Sequence, residues 1–294
     1  VNWTMAHRIA GMRAVQAHRD LGIDRTRYVP VHRALGTAGV LGMARPMPRL
    51  FGVYFAPLDN GPAVLLNANL SAITQRHTAA HELGHHLFGH HTAADDDLDP
   101  ALRRAGAKWP EEEKLAEAFA AWFLMPRPAV QAGLLRICRG TSLGPEHVYR
   151  LAQELGTSYA GTVRHLDHLR MLAPGQAGSW QKITPAALRR SLTGAELPAG
   201  RQVHVLTEAS HQQQVHADVG DVLLAHVPAA SFTALPTGLS CWHGTPVTCP
   251  ALEVTDALAE PAQLKIAAAG RTAPVEVTVI RESPRHGIDQ VWPD

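Results

Sequence analysis

The chain has 294 residues, 46% hydrophobic and 18% charged, which excludes intrinsic disorder as a description of the whole and leaves room for about two domains. Twenty-seven basic against 26 acidic side chains give a formal charge of +1, so no overall field draws the protein onto nucleic acid or anionic lipid. Three cysteines, Cys138, Cys241 and Cys249, fit neither a disulfide framework nor a thiolate metal site, and no stretch approaches the ~18 apolar residues of a membrane span.

Residues 4–20 place Met5, Ile9, Met12 and Val15 at helical spacing and lack the apolar core and small-residue cleavage site of a signal peptide, so a cytoplasmic protein is expected. Residues 28–42 read as a second short helical piece. Phe51–Phe55 and Val64–Asn67 read as strands joined by the turn chemistry of Asp59, Asn60, Gly61 and Pro62, giving a small antiparallel sheet with an edge strand at Val64–Asn67. Residues 71–90 hold no proline, and Ser71 or Thr74 suits a helix cap, so a helix carries the histidine-rich segment and leaves His91 at or past its end. After an acidic loop over 92–100, Pro110 and Glu111 to Glu113 open another helix, since proline suits a first turn and carboxylates suit the positive end of the helix dipole.

Further on, 145–172 carries Val148, Leu151, Leu155, Val163, Leu166 and Leu169 in helical register, broken near Gly156, with Ser158 as a cap: a helix-turn-helix-like pair. Residues 173–200 read as a Gly-, Pro- and Ala-rich linker around one short helix at 185–191. Beyond Arg201 the segments Val203–Leu206, Asp221–Leu224, Leu264–Ile266 and Val275–Ile280 are short, β-branched and separated by turns. The expected organisation is therefore α+β. A domain over 1–130 is followed by a helical region at 131–175, a linker at 176–200 and an all-β domain at 201–294, for which an immunoglobulin-like sandwich is one form.

The chemistry is concentrated between His77 and Glu117. Six of the 18 histidines, His77, His81, His85, His86, His90 and His91, fall within fifteen residues. Among them His81-Glu82-Leu83-Gly84-His85 is an HExxH pattern, which sets two imidazoles one turn apart on one helix face, at a spacing that lets both reach one Zn²⁺. Glu82 projects about 100° away and can meet a water at the metal as general base. A hydrolytic zinc site needs a third protein ligand, and two candidates compete. His91 stands six residues after His85, but the glycine that longer zincin motif requires comes one place late, at Gly89. Glu113 and Glu117, spaced i, i+4, offer one carboxylate as ligand and one behind it to hold an imidazole; Glu113 is preferred as ligand. His77 is a poor third ligand, because three histidines on one straight helix cannot surround a tetrahedral metal. His86 reads as surface or packing, His90 and His91 as helix-end residues, and Phe119, Trp122 and Phe123 as core.

The run His77-Thr78-Ala79-Ala80-His81-Glu82-Leu83-Gly84-His85, followed by Glu113-Lys114-Leu115-Ala116-Glu117-Ala118-Phe119-Ala120 and Leu124-Met125-Pro126, resembles the ImmA/IrrE family of zinc metallopeptidases. The resemblance covers roughly residues 5–170. It implies a gluzincin-like, zincin-type fold, His81, His85 and Glu113 as metal ligands and Glu82 as catalytic acid/base. Glu117 stands where relatives often carry Asn. The substrate class it implies is a transcriptional repressor or antitoxin-like protein, cleaved in a stress or mobile-element response. Zn²⁺ is the expected ion, and Mn²⁺ suits the same donors. An edge strand at Val64, Leu65, Leu66 and Asn67 is expected to pair with substrate backbone. The second reading is a transcriptional regulator that binds DNA through the helical pair and uses its metal only for structure.

Overall fold

A computed structural model of the protein describes residues 1–94, 109–232, 234–244 and 249–288; the acidic stretch 95–100 read above as loop lies outside them. Contacts divide the chain into two units, Val1–Val130 with Leu155–Thr157 and Pro284–Asp294, and Gln131–Glu154 with Ser158–Ser283.

The first unit begins with α1 (Trp3–Asp20), capped by the Asn2 side chain, which accepts from the Met5 amide. Ala6, Ala10, Ala14 and Ala17 form its buried stripe, and small side chains at helical spacing let a second helix approach closely. Near its end the buried His18 stacks on Phe123 with ring centroids 4.7 Å apart and places Nε2 2.9 Å from the Phe123 carbonyl oxygen. Burial, with the charge of Arg25 adding to it, lowers its pKa to about 4 despite that hydrogen bond.

The expected helical piece over 28–42 is shorter than its pattern suggests: α2 (Val31–Thr37) stops where Gly39 adopts a left-handed φ of +74°, and the chain turns into β1 (Leu41–Arg45). Gly42 and Ala44 deprive that strand of a β-branched signature, which is why its pattern did not betray it. With β2 (Gly52–Phe55), β3 (Ala63–Asn67), β4 (Ala93–Ala94) and a C-terminal strand, Gly287–Ile288, it forms a five-stranded sheet in which β3 is central. β3 runs parallel to β1, from Leu41↔Ala63 to Arg45↔Asn67, and antiparallel to β2, from Gly52↔Leu66 to Phe55↔Ala63.

Two expectations are thereby corrected. The sheet is mixed, and Val64, Leu65, Leu66 and Asn67 do not form an edge: both of their ladders are occupied, so no substrate strand can pair with them. Val64 and Leu66, two residues apart and so on one face, are buried, while Leu65 on the other face is half-buried. Asn67 instead shapes the loop entering β2. Its amide nitrogen donates to the Met47 and Leu50 carbonyls, both at 2.7 Å, and its oxygen accepts from the Met47 and Asn69 amides.

α3 (Ala72–Phe88) lies on this sheet, capped by Ser71 at one end and closed by left-handed Gly89 at the other. Among the described residues its buried Arg76 forms no ion pair with a carboxylate; it sits over the Tyr28 ring and donates to the carbonyls of Val29 and Gly156 and to the Tyr28 hydroxyl. Gln75 forks onto the C-terminal segment: Nε2 donates to the Arg285 carbonyl at 3.2 Å and Oε1 accepts from the Arg285 amide at 2.5 Å. α4 (Glu111–Leu124) starts behind Pro110 with three glutamates in its first turn.

α5 (Arg127–Cys138) leads into the second unit, which continues with α6 (Pro145–Leu155) and α7 (Tyr159–His168). The break between the latter two falls at Gly156, φ +62°, and Ser158 caps α7 by accepting from the Gly161 amide. The stretch read as linker holds two helices, α8 (Gln176–Trp180) and α9 (Pro185–Thr193). They bury Ala177, Trp180 and Leu188, and the Trp180 carbonyl accepts from the Tyr159 hydroxyl, so the segment is packed structure.

The strands β5 (Val203–Leu206), β6 (Gln213–Ala217), β7 (Val222–Ala225), β8 (Ser231–Phe232), β9 (Leu239–Cys241), β10 (Ala251–Val254), β11 (Ala262–Ala267) and β12 (Val275–Arg281) follow. They form two four-stranded sheets, β5-β7-β10-β9 and β6-β12-β11-β8, that share one core including Leu223, Leu252, Leu264, Ile266 and Val277. The parallel pairs β5–β7 and β6–β12 depart from a purely antiparallel sandwich. β11 and β12 alternate buried and exposed residues, the signature that made them readable.

Two outcomes follow for this fold. Asn67→Ala strands two buried carbonyls and the Met47 amide and is expected to destabilise the first unit by about 2–4 kcal/mol, read from urea unfolding. His18 protonates in the unfolded chain before it does in the folded one. Its contribution is therefore complete above pH 6.5 and is lost as pH falls toward 4. Between pH 7 and 4 the wild type should lose about 3 kcal/mol more stability than His18→Gln.

Candidate metal centre

The site is assembled where α4 crosses α3. Gly84 occupies the crossing: a Cβ there would lie 3.1 Å from Phe119 Cδ1 and 3.2 Å from the Ala116 Cα, so glycine is what lets the helices come this close. The approach carries the first turn of α4 over the histidines of α3. His81 and His85, both buried, place their Nε2 atoms 3.1 Å apart. Glu113 Oε2 lies 3.1 Å from His81 Nε2, and Oε1 lies 3.4 Å from His85 Nε2. One ligand atom from each of the three residues falls within 4.8 Å of the others, the one such group among the described residues. Cys241, His243 and Cys249 do not join one.

A second layer holds the imidazoles. Glu117 Oε2 lies 3.5 Å from His81 Nδ1 and 3.0 Å from His77 Nε2, so His77 meets the carboxylate behind the site and not the ligand cluster. His85 Nδ1 lies 3.0 Å from His90 Nδ1. The sequence reading treated His90 as a helix-end residue; the readable signal was Gly89, whose left-handed turn folds the next residue back against the last helical turn. Each ligand histidine thus has its outer nitrogen engaged, which fixes the ring orientation. His91 is exposed, and the competing ligand assignment places nothing near the cluster. His86 finds a partner in Tyr54, whose hydroxyl lies 3.1 Å from its Nδ1.

Charge is divided sharply here. Burial works against an imidazolium at His81, yet hydrogen bonds to Glu113 and Glu117 and the charges of Glu82 and Glu117 raise its pKa well above the ordinary value. Burial would push both carboxyls up, but His81 and His85 pull Glu113 down, and His77 and His81 pull Glu117 well below the carboxylate range. The cluster therefore sets ionised carboxylates against the His81 imidazole, which they bias toward positive charge. Two imidazole nitrogens and a carboxylate oxygen converging in this way fit a divalent cation, which takes the place of the protons.

Glu82, buried on the same helix, is positioned from the sheet side. A Cβ on Gly52 would lie 2.8 Å from Glu82 Oε1 and 2.5 Å from Thr78 Cγ2, so the strand can pass this close to the carboxylate because residue 52 is glycine. Phe119 and Phe123 are fully buried, as core residues should be, and Trp122 donates its indole N–H to His7 Nδ1 at 3.3 Å.

A sheet-backed HExxH helix with a carboxylate delivered by the following helix is the arrangement of a zincin-type metallopeptidase. Residues 49–166 match the family model Peptidase_M78, IrrE N-terminal-like domain, which supports an ImmA/IrrE-family metallopeptidase domain in this part of the chain. The match includes both site helices and continues through α5 and α6 into α7; β5 to β12 lie outside it. None of the curated proteins compared with the chain matches it.

The ligand geometry predicts that His81→Ala, His85→Ala or Glu113→Ala abolishes stoichiometric metal binding, read by elemental mass spectrometry after dialysis against zinc. His90→Ala should retain the ion with affinity lowered about 10–100-fold in a chelator competition.

Proposed function

We propose that the protein is a zinc-dependent endopeptidase in which His81, His85 and Glu113 hold the ion and Glu82 is the catalytic acid/base. The observation that carries this reading is the convergence of the three ligand atoms beside a buried glutamate on the same helix. Bound there, Zn²⁺ supplies Lewis acidity and brings the pKa of water toward ~7; the same donors admit Mn²⁺. Glu82 takes a proton from the attacking water and delivers it to the departing amine, so one carboxylate serves both halves of the hydrolysis. The strand at Gly52 passes close to its carboxylate. Glu117 and His90 keep the ligand rings from turning.

The substrate class we infer is a transcriptional repressor or antitoxin-like protein, cleaved in the cytoplasm during a stress or mobile-element response; the support for it is the family resemblance. No helix among the described residues is long and apolar enough to cross a membrane. With both ladders of β3 filled, substrate backbone has to be held elsewhere than at Val64–Asn67.

Glu82→Gln is the test. It should retain one metal per chain while cleavage of a mixed peptide library falls by about 10²–10⁴. A regulator that binds DNA through α6 and α7 and carries a structural metal would be unaffected by that substitution, and unchanged behaviour would overturn the peptidase.

A further inference from the structure

Within the second unit a cleft opens between the helices α5 and α6 and the strands β5 and β6, lined by Arg136, Arg150, Gln153, Glu154, His204 and Thr207 among others. Its cations are not equivalent. Arg136 is committed to Glu154, the one carboxylate among the lining residues, and His204 faces Asp221 at 3.4 Å. Arg150 makes no such pair, although Glu154 and Glu146 lie near enough to act on its charge. Its Nε is shielded from solvent and lacks an acceptor, and among the described residues no carboxylate lies within ion-pair distance of its guanidinium. A buried N–H of an always-charged group left without an acceptor is costly, and native proteins rarely tolerate one unless something external supplies the oxygen.

The rest of the wall is also rich in donors. Thr207 and Ser210 form a reciprocal cap in which each hydroxyl accepts from the other's backbone N–H, so both hydroxyl protons remain to be given elsewhere. Gln153 and Gln213 add amide groups. The free volume, about 60 Å³, holds about four to six water-sized groups at the ~10–15 Å³ each requires. That is the scale of a tetrahedral oxyanion. A ligand that only accepts, carries negative charge and offers oxygens in several directions matches this wall.

We propose that the cleft binds a phosphate group, as free orthophosphate or as the head of a small phosphate ester, with Arg150 as its anchoring cation. The ester's remainder would project into solvent. This site is independent of the metal centre and of the proposed hydrolysis, and gives the strand-rich unit a ligand of its own.

The test is calorimetric titration of the full chain with sodium phosphate, against sodium chloride at matched ionic strength, beside glycerol 1-phosphate and sodium acetate. Saturable phosphate binding at one site per chain, weakened about tenfold or more by Arg150→Gln and incompletely restored by Arg150→Lys, is expected. Glycerol 1-phosphate binding more tightly than phosphate identifies the ester as the source, and weaker binding identifies the free ion. Acetate binding as tightly as phosphate, or heat that does not saturate, overturns the assignment. Should Arg150→Gln fail to fold, undiminished phosphate affinity in Arg150→Lys overturns the role of the guanidinium.

Discussion

Helices α3 and α4 meet with a glycine between them, and the distances of the metal centre depend on that meeting. A side chain at Gly84 would have to displace the backbone at Ala116 or the ring of Phe119. A shift of the backbone at Ala116 would move the helix that carries Glu113. The alanine stripe of α1 and the stacking of His18 on Phe123 support α4 from the other side, so the packing of three helices is converted into ligand distances near 3 Å. The same economy recurs at Gly52, where a missing Cβ leaves the space that Glu82 occupies. Two absent side chains thus shape the site from opposite directions.

Electrostatics then determines what that geometry can hold. Four carboxylates and imidazoles packed this closely would repel or neutralise one another in water. Here Glu113 and Glu117 are kept ionised by the histidines, and His81 is kept hungry for positive charge by the glutamates. The carboxylates are thereby held unprotonated, the state a divalent ion requires of its ligands, and such an ion would take the place of the protons on the imidazoles.

Much of this was legible in the sequence, for reasons that can be named. HExxH and the i, i+4 glutamates are periodic signals, and a helix turns period directly into position; His81, Glu82, His85, Glu113 and Glu117 therefore lie near one another as the spacing implied. The strands of the second unit announced themselves by alternation and β-branching. What escaped were features set by tertiary context. Val64 to Asn67 has the composition of a strand, but whether a strand is central or at an edge depends on β1, whose glycine and alanine gave no warning. His90 acts through a turn, and its partner His85 is reached only after the chain reverses at Gly89. The helices α8 and α9 lie in a Gly-, Pro- and Ala-rich stretch whose burial depends on Trp180 and Leu188.

The return of residues 284–288 to the first sheet makes the metallopeptidase unit discontinuous along the chain. A fragment ending at residue 130 would retain every metal ligand yet lack the strand paired to β1 and the backbone gripped by Gln75. It would present the outer N–H and C=O groups of β1 as an open template for other chains, the circumstance in which sheets associate edge to edge. Dissection of this protein into functional parts therefore has to carry residues 284–288 along with the first 130.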